Sequence, residues 1–414
     1  MILKAYRYRL YPNNEQRTML HKHFGCSRFV YNWALETKIK RYEKDQTSLS
    51  CFELMNEMKR TIKQEKEWLK EVNSQSLQMS IRNLDNAFTK FFRDKTGFPK
   101  FKKKSNRQSF QCPQSVSIDF DSQMISLPKI KNVKMRLTRR FEGKIKTVTV
   151  SGAPSGKYFV SILVETPQEL PPKPPVTLDT TLGVDLGVKD FAIMSDGTKV
   201  GNPKFLKKSL DKLKRQHYKL SKQDTINEKK GNKWTNRRKK KVRKIARTHE
   251  RITNQRNDFL HKLTHSLTHK NQVNSIAIED LNVSGMVKNH KLAQSISDCS
   301  WSKFVEYLTY KCDWYGKNLL KIGRFEPSSK MCSVCGWIKR DLTLDVRRWR
   351  CEECQTLHDR DVNAAINIKK FSVVEQNLIG MNVVGRDTTE LTLGENVVSK
   401  PTSVNRESIG FQSV

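Results

Sequence analysis

The chain has 414 residues, 36% of them hydrophobic, enough for two or three separately packed domains rather than one small core. Its 78 Lys and Arg outweigh 42 Asp and Glu to give a formal charge of +36, and self-repulsion on that scale calls for a polyanionic partner such as nucleic acid. No stretch approaches the roughly 18 uninterrupted apolar residues of a spanning helix, so a membrane protein is not expected.

Residues 1–11 alternate polar and apolar side chains, with Ile2, Tyr6 and Tyr8 sharing one parity, which predicts a strand ending at Tyr11-Pro12. The same alternation lacks the n-region and h-region of a signal peptide, and a cytoplasmic protein is expected. From about 13 to 95 the pattern is helical. Leu20, Phe24, Tyr31 and Ala34 recur near helical spacing, and Leu77, Ile81, Leu84, Phe88 and Phe91 form one stripe with Gln75, Gln78 and Arg82 on other faces.

Gly97 and Pro99 break the helical pattern in GFPKFKKKSNRQSF, where Lys100, Lys102, Lys103, Lys104 and Arg107 surround Phe98 and Phe101. Basic residues interleaved with aromatics suit a nucleic-acid backbone with bases stacked nearby; a solvated linker with a phenylalanine anchor is the plainer reading. Strands follow from about 108 to 166. The first strand is expected to join them, so that the helical segment is an insertion in a β-barrel or sandwich.

The proline-rich PQELPPKPPVT marks the clearest domain boundary. Beyond it, the strands TLGVDLGVKDFAIMSD and NSIAIEDL are separated by a long basic helical stretch containing Arg237 and Arg238, an α/β pattern. That stretch reads equally as a solvated face or as a phosphate-tracking surface.

Cys332, Cys335, Cys351 and Cys354 stand as C-x2-C, fifteen residues, C-x2-C. Two knuckles on a hairpin of this length bring four thiolates to a tetrahedral Zn²⁺ at about 2.3 Å, a closed structural site worth on the order of 10 kcal/mol to a segment too small to fold alone. Four sulfurs complete the tetrahedron, which leaves the role of His358 open. Cys26, Cys51, Cys112, Cys299 and Cys312 are scattered singly and read as small core residues.

Asp185 interrupts one apolar strand and Glu279 follows Ile276 and Ile278 in another. A third acid lies in HDRDVNAAINI, where Asp359 and Asp361 both stand at a helix entry. An acid inside an apolar strand is costly unless it is paired or holds a cation. Two strand-borne acids and one helix-borne acid are the set with which an RNase H-like nuclease holds two Mg²⁺ ions about 4 Å apart. From the residues alone, Asp359 and Asp361 stay equivalent.

GVDLGVKDFA, AIEDLNVSGM, PSSKMCSVCG and HDRDVNAAINI, in this order with the cysteine module between the last two acids, resemble the transposon-encoded TnpB nucleases, compact relatives of type V CRISPR effectors. The resemblance implies a multidomain α+β and α/β fold. A wedge-like β-barrel would cover 1–12 and 96–172, with a helical recognition insertion at 13–95. The end of a proline-rich linker would fall at 173–180, and an RNase H-like RuvC domain at 181–328 and 356–372. A zinc insertion would occupy 329–355, and 373–414 would be a disordered tail.

The resemblance also implies a RuvC triad of Asp185, Glu279 and Asp361, the last chosen because it precedes the NAA sequence. It implies two catalytic Mg²⁺ and one structural Zn²⁺. The implied partners are a guide RNA, a double-stranded DNA target beside a short motif, and the resulting RNA–DNA heteroduplex, bound by a monomer. Gln75, Gln78, Arg82, Lys100, Lys102, Lys103, Lys104, Arg237, Arg238 and Lys330 are the candidate nucleic-acid contacts. Glu326 departs from the apolar or aromatic residue the family pattern has there. Competing readings are a catalytically silent RNA-guided regulator, a minimal type V CRISPR effector, a DNA transposase and a zinc-stabilised basic protein without catalysis.

Overall fold

A computed structural model describes residues 1–383 except 106, 230, 232–234 and 344. The chain divides into two compact units, 1–170 with 208–256, and 171–207 with 257 onward. Among the described residues no helix is long and apolar enough to cross a membrane.

In the first unit, β1 (Ile2–Tyr11) leads into α1 (Asn14–Asp45), which opens on a capping box: the Asn13 side chain accepts from the Gln16 amide and the Gln16 side chain from the Asn13 amide. After α2 (Cys51–Glu57) and the one-turn α3 (Lys63–Glu65) comes α4 (Ser74–Arg93), whose Leu77, Ile81 and Leu84 are fully buried against Val30, Ala34 and Leu35 of α1. Phe88 and Phe91 continue the stripe to its end. Phe98 packs edge-on against both, with ring centroids 5.5 Å apart, which makes it the anchor of the basic segment.

Strands β2 (Gln108–Cys112), β3 (Ser117–Asp119), β4 (Met124–Leu127), β5 (Ile130–Arg136), β6 (Lys144–Gly152) and β7 (Tyr158–Thr166) complete a sheet of order β2-β6-β7-β1-β5-β4-β3. The N-terminal strand lies centrally, antiparallel to β7 from Ile2↔Thr166 to Leu10↔Tyr158, so the expected union of the first strand with the later set holds. The sheet curls around Tyr8, Leu10, Val148, Val160, Ile162 and Val133, but β2 and β3 are not neighbours. It is a curled half-barrel, in keeping with the barrel or sandwich that the strand pattern suggested.

The second unit starts with β8 (Thr181–Leu186), β9 (Asp190–Met194) and β10 (Lys199–Gly201). Helices α5 (Phe205–Lys229) and α6 (Asn236–His265) follow, their residues 208–256 belonging to the first unit, and α6 ends in a π-turn before β11 (Ser275–Glu279). After α7 (Val283–Met286), α8 (Ala293–Cys299) and α9 (Trp301–Trp314), β12 (Asn318–Ile322) closes a mixed sheet of order β10-β9-β8-β11-β12. Strands β8, β11 and β12 are parallel, the RNase H-like α/β arrangement expected.

Trp301, Phe304 and Leu308 cover one face of that sheet. The short antiparallel pair β13 (Arg348–Arg350) and β14 (Leu357–Asp359) leads directly into α10 (Arg360–Val383), whose Ile368 packs on the other face with Ala277 and Leu320. Helix α10 passes the position, 373, at which a disordered tail was expected to begin; 384–414 lie outside the described residues.

Candidate active site and metal centre

Asp185 stands near the end of β8, the one residue of that strand that is not fully buried, and Glu279 ends the parallel neighbour β11. Asp361 is in the first turn of α10. The fold brings the three carboxyls close enough to act on one another. Burial, and after it the charges of Glu279 and Asp361, push the Asp185 carboxyl up to about 7. A buried acid destabilised by its acidic neighbours is a site that a divalent cation would relieve, and three hard carboxylate donors are the ligand type Mg²⁺ prefers. The donor type therefore fits the ion.

Neighbouring residues settle the geometry of each acid. The Ser328 hydroxyl donates to Glu279 Oε1 at 2.6 Å. Arg347 Nη1 reaches Asp361 Oδ1 at 3.3 Å and Oδ2 at 3.4 Å, and the Arg360 amide donates to the Arg347 carbonyl at 2.9 Å. Asp359 is engaged elsewhere: its Oδ1 accepts from the amides of Asp361 and Val362, capping α10, and its Oδ2 pairs with Lys199 at 2.6 Å. Burial alone would raise Asp359, but Lys199 and the α10 amides hold it below its ordinary value.

The helix itself is locked to the segment before the cysteine module. Asn367 Nδ2 donates to the carbonyls of Ser328 and Met331, both at 2.7 Å, while Asn363 donates to Met331 and accepts from the Ser333 amide. Two asparagines four residues apart on the buried face of a helix are the signal that sequence reading passed over. Gly183 of β8 lets that helix approach: a Cβ there would lie 2.0 Å from the Ala365 carbonyl oxygen. Gly187 serves the β8–β9 turn, where a Cβ would meet the Asp190 carbonyl at 2.7 Å.

The four cysteine sulfurs lie within 4.8 Å of one another, with Cys332–Cys354 at 3.6 Å and Cys335–Cys351 at 3.5 Å. A tetrahedron with 2.3 Å Zn–S bonds has edges of about 3.8 Å, so the cluster fits zinc. Gly336 takes φ +82°, the left-handed conformation that turns the first knuckle, and its amide donates to the Cys332 carbonyl. His358 is not a fifth ligand of the set. It is buried on β14 opposite Trp349, its ring tilted against that indole at 4.7 Å and its Nε2 3.0 Å from Cys332 Sγ. Burial lowers its imidazole, which favours the neutral form.

The candidate nucleic-acid contacts fall on both units. Gln75, Gln78 and Arg82 share a face of α4, the last two exposed; Lys100, Lys102, Lys103 and Lys104 are exposed beyond it. Arg237 is exposed on α6, whereas Arg238 pairs with Asp224 of α5 at 2.6 Å and ties the helical hairpin together. In the second unit Lys330 donates to the Arg340 carbonyl, bracing the cysteine hairpin. Glu326 is exposed, and its carbonyl accepts from the Ser328 amide.

Family profiles match at three places: a "Helix-turn-helix domain" of OrfB_IS605 at 1–47, the OrfB_IS605 "Probable transposase" at 161–290, and a "Cas12f1-like, TNB domain" at 301–368. A protein of Streptomyces pristinaespiralis, provisionally named as an RNA-guided DNA endonuclease, is 38% identical over 89% of each chain. The chain belongs to the TnpB (IS605 OrfB) family. InsQ of Escherichia coli K12, named in the same terms, is 32% identical over 88% of this TnpB chain and 91% of its own. The fold is also that of Cas12f1, solved in a complex with sgRNA and target DNA, at a TM-score of 0.55 and 13% identity over 89% of this chain and 98% of that one. Residues 1–47 of this TnpB form one strand and one long helix rather than a helix-turn-helix.

Proposed function

We propose that this TnpB is a transposon-encoded, RNA-guided DNA endonuclease that cleaves phosphodiester bonds at Asp185, Glu279 and Asp361. The observation that carries the reading is the burial of Asp185 against two further carboxylates in a chain of this family. Two Mg²⁺ ions bound there would supply an activated water and charge stabilisation at the leaving 3′ oxygen. Asp185, which burial makes costly to ionise, is a residue whose charge a bound cation would favour. Ser328 turns Glu279 inward, the asparagines hold α10 and with it Asp361, and the zinc module forms the platform from which α10 starts.

The guide RNA and the DNA target would be held by their backbones, which the +36 charge favours, while base pairing reads sequence. The test is to sequence RNA that copurifies with the protein and assay Mg²⁺-dependent cleavage of matching DNA. A defined RNA with a variable 3′ segment and cleavage lost in Asp185→Ala, Glu279→Ala and Asp361→Ala are expected. Cleavage that survives all three changes would overturn the site.

A further inference from the structure

In the first unit a small pocket opens between α1 and the chain entering β2, lined by Ser27, Arg28, Lys102, Arg107 and Gln108 with no carboxylate among its walls. Three cationic side chains converging without an acid leave a concentrated positive charge that the fold does not neutralise. Lys102 Nζ lies 3.7 Å from the centroid of the Tyr31 ring. Ser27 is 5% exposed, and its hydroxyl is buried without a hydrogen-bond partner. A helical serine ordinarily donates to the carbonyl one turn back, so this orphan, on the pocket wall, points to an absent acceptor.

The walls are fixed in advance. Asn32 brackets Lys102, donating to its carbonyl at 2.9 Å and accepting from its amide at 2.8 Å. Gln108 accepts from Arg28 Nη1 at 2.5 Å and donates to the Lys104 carbonyl at 3.1 Å, which pins the basic segment to the helix. The pocket's volume of about 30 Å³ suits one or two oxygen-sized atoms and is too small for a base.

We propose that this pocket binds a single phosphodiester of the nucleic-acid partner, taking its non-bridging oxygens on Arg28, Lys102, Arg107 and the Ser27 hydroxyl. The assignment rests on the nucleic-acid reading above and adds to it a fixed backbone anchor. Such a contact positions the strand and carries no sequence preference.

The test uses the full-length protein, with the RNA recovered alongside it and a synthetic DNA duplex as separate ligands, each titrated over a salt series. Lys102→Gln and Arg107→Gln should each weaken one ligand about fivefold with melting temperature unchanged. The triple variant that adds Arg28→Gln should reduce the slope of log K against log salt by about 0.7 to 0.9, the value of one phosphate. The ligand whose slope falls identifies the source, RNA or DNA. Ser27→Ala should weaken the same ligand and leave melting unchanged or raised, because it deletes a hydroxyl that has no partner in the fold.

A triple-variant slope equal to wild type for both ligands overturns the pocket, as does a fall of about 1.4 to 1.8, which means two separate phosphates. Lower melting with wild-type binding in Ser27→Ala makes the hydroxyl structural and overturns it too. Wild-type protein that binds neither ligand overturns the nucleic-acid reading itself, and the pocket with it.

Discussion

Gly183 and Ala365 bring the strand that carries Asp185 into backbone contact with the helix that carries Asp361. A Cβ at Gly183 would sit 2.0 Å from the Ala365 carbonyl oxygen, and also 2.9 Å from the Lys369 amide nitrogen, so no flexible side-chain end can yield to it. Gly183→Ala should therefore push α10 off the sheet. We expect a loss of about 1 to 3 kcal/mol in a urea titration, typical of overpacking, and cleavage reduced to background. Wild-type cleavage in a stably folded variant would show that the approach of helix to strand does not set the site.

The Ser328–Glu279 hydrogen bond, at 2.6 Å, joins a hydroxyl to a charged acceptor. Bonds of that kind contribute roughly 1.5 to 3 kcal/mol. Ser328→Ala should slow cleavage at least tenfold at fixed Mg²⁺, and Ser328→Thr, which keeps the hydroxyl, should restore most of it. Single-turnover rates decide the matter, since equal rates in both variants would reduce Ser328 to a packing residue.

Zinc removal should act at a distance. Metal analysis of the wild type should give one zinc per chain; Cys351→Ser is expected to abolish it, release β13–β14, and abolish cleavage because β14 runs directly into α10. His358→Ala should retain zinc but bind it about 10- to 100-fold less tightly in a chelator competition, the usual effect of losing a neighbour that holds a ligand. Unchanged affinity would make His358 only a partner for Trp349.

Asp185 gives a pH dependence of definite sign. Its carboxyl is pushed up to about 7 from an ordinary 3.8, so between those values the folded chain keeps a proton that the unfolded chain has lost. Stability of zinc-loaded protein without added Mg²⁺ should then fall as pH rises through that window, by about 2 to 4 kcal/mol, and level off above it. Asp185→Asn should remove this component. Urea midpoints at both ends of the window, for wild type and variant, with and without Mg²⁺, test it; a wild-type midpoint that tracks the variant's would contradict it.

Much of the site was legible in sequence because its signals are local. The C-x2-C spacing needs only a hairpin to become a metal centre, and an acid in a run of apolar strand residues is conspicuous at a single position. The preference for Asp361 over Asp359 rests on family resemblance; what sequence could not show is that Asp359 is turned back onto α10 and Lys199. Ser328, Arg347 and His358 went unassigned because each acts on a residue distant in the chain or on the far side of a turn.

By itself the sequence determined the strand and helix periods, the four-cysteine pattern and the positive charge that suits a polyanionic partner, since these depend on spacing and charge within short segments. Only the tertiary structure decided that the N-terminal strand lies centrally in an open half-barrel and that α10 lies on β8 at a glycine. It also decided that two asparagines and a serine hold the acids in place. Those outcomes depend on which backbone groups remain unpaired after distant segments meet, and a buried polar group must find its partner wherever the fold has put one.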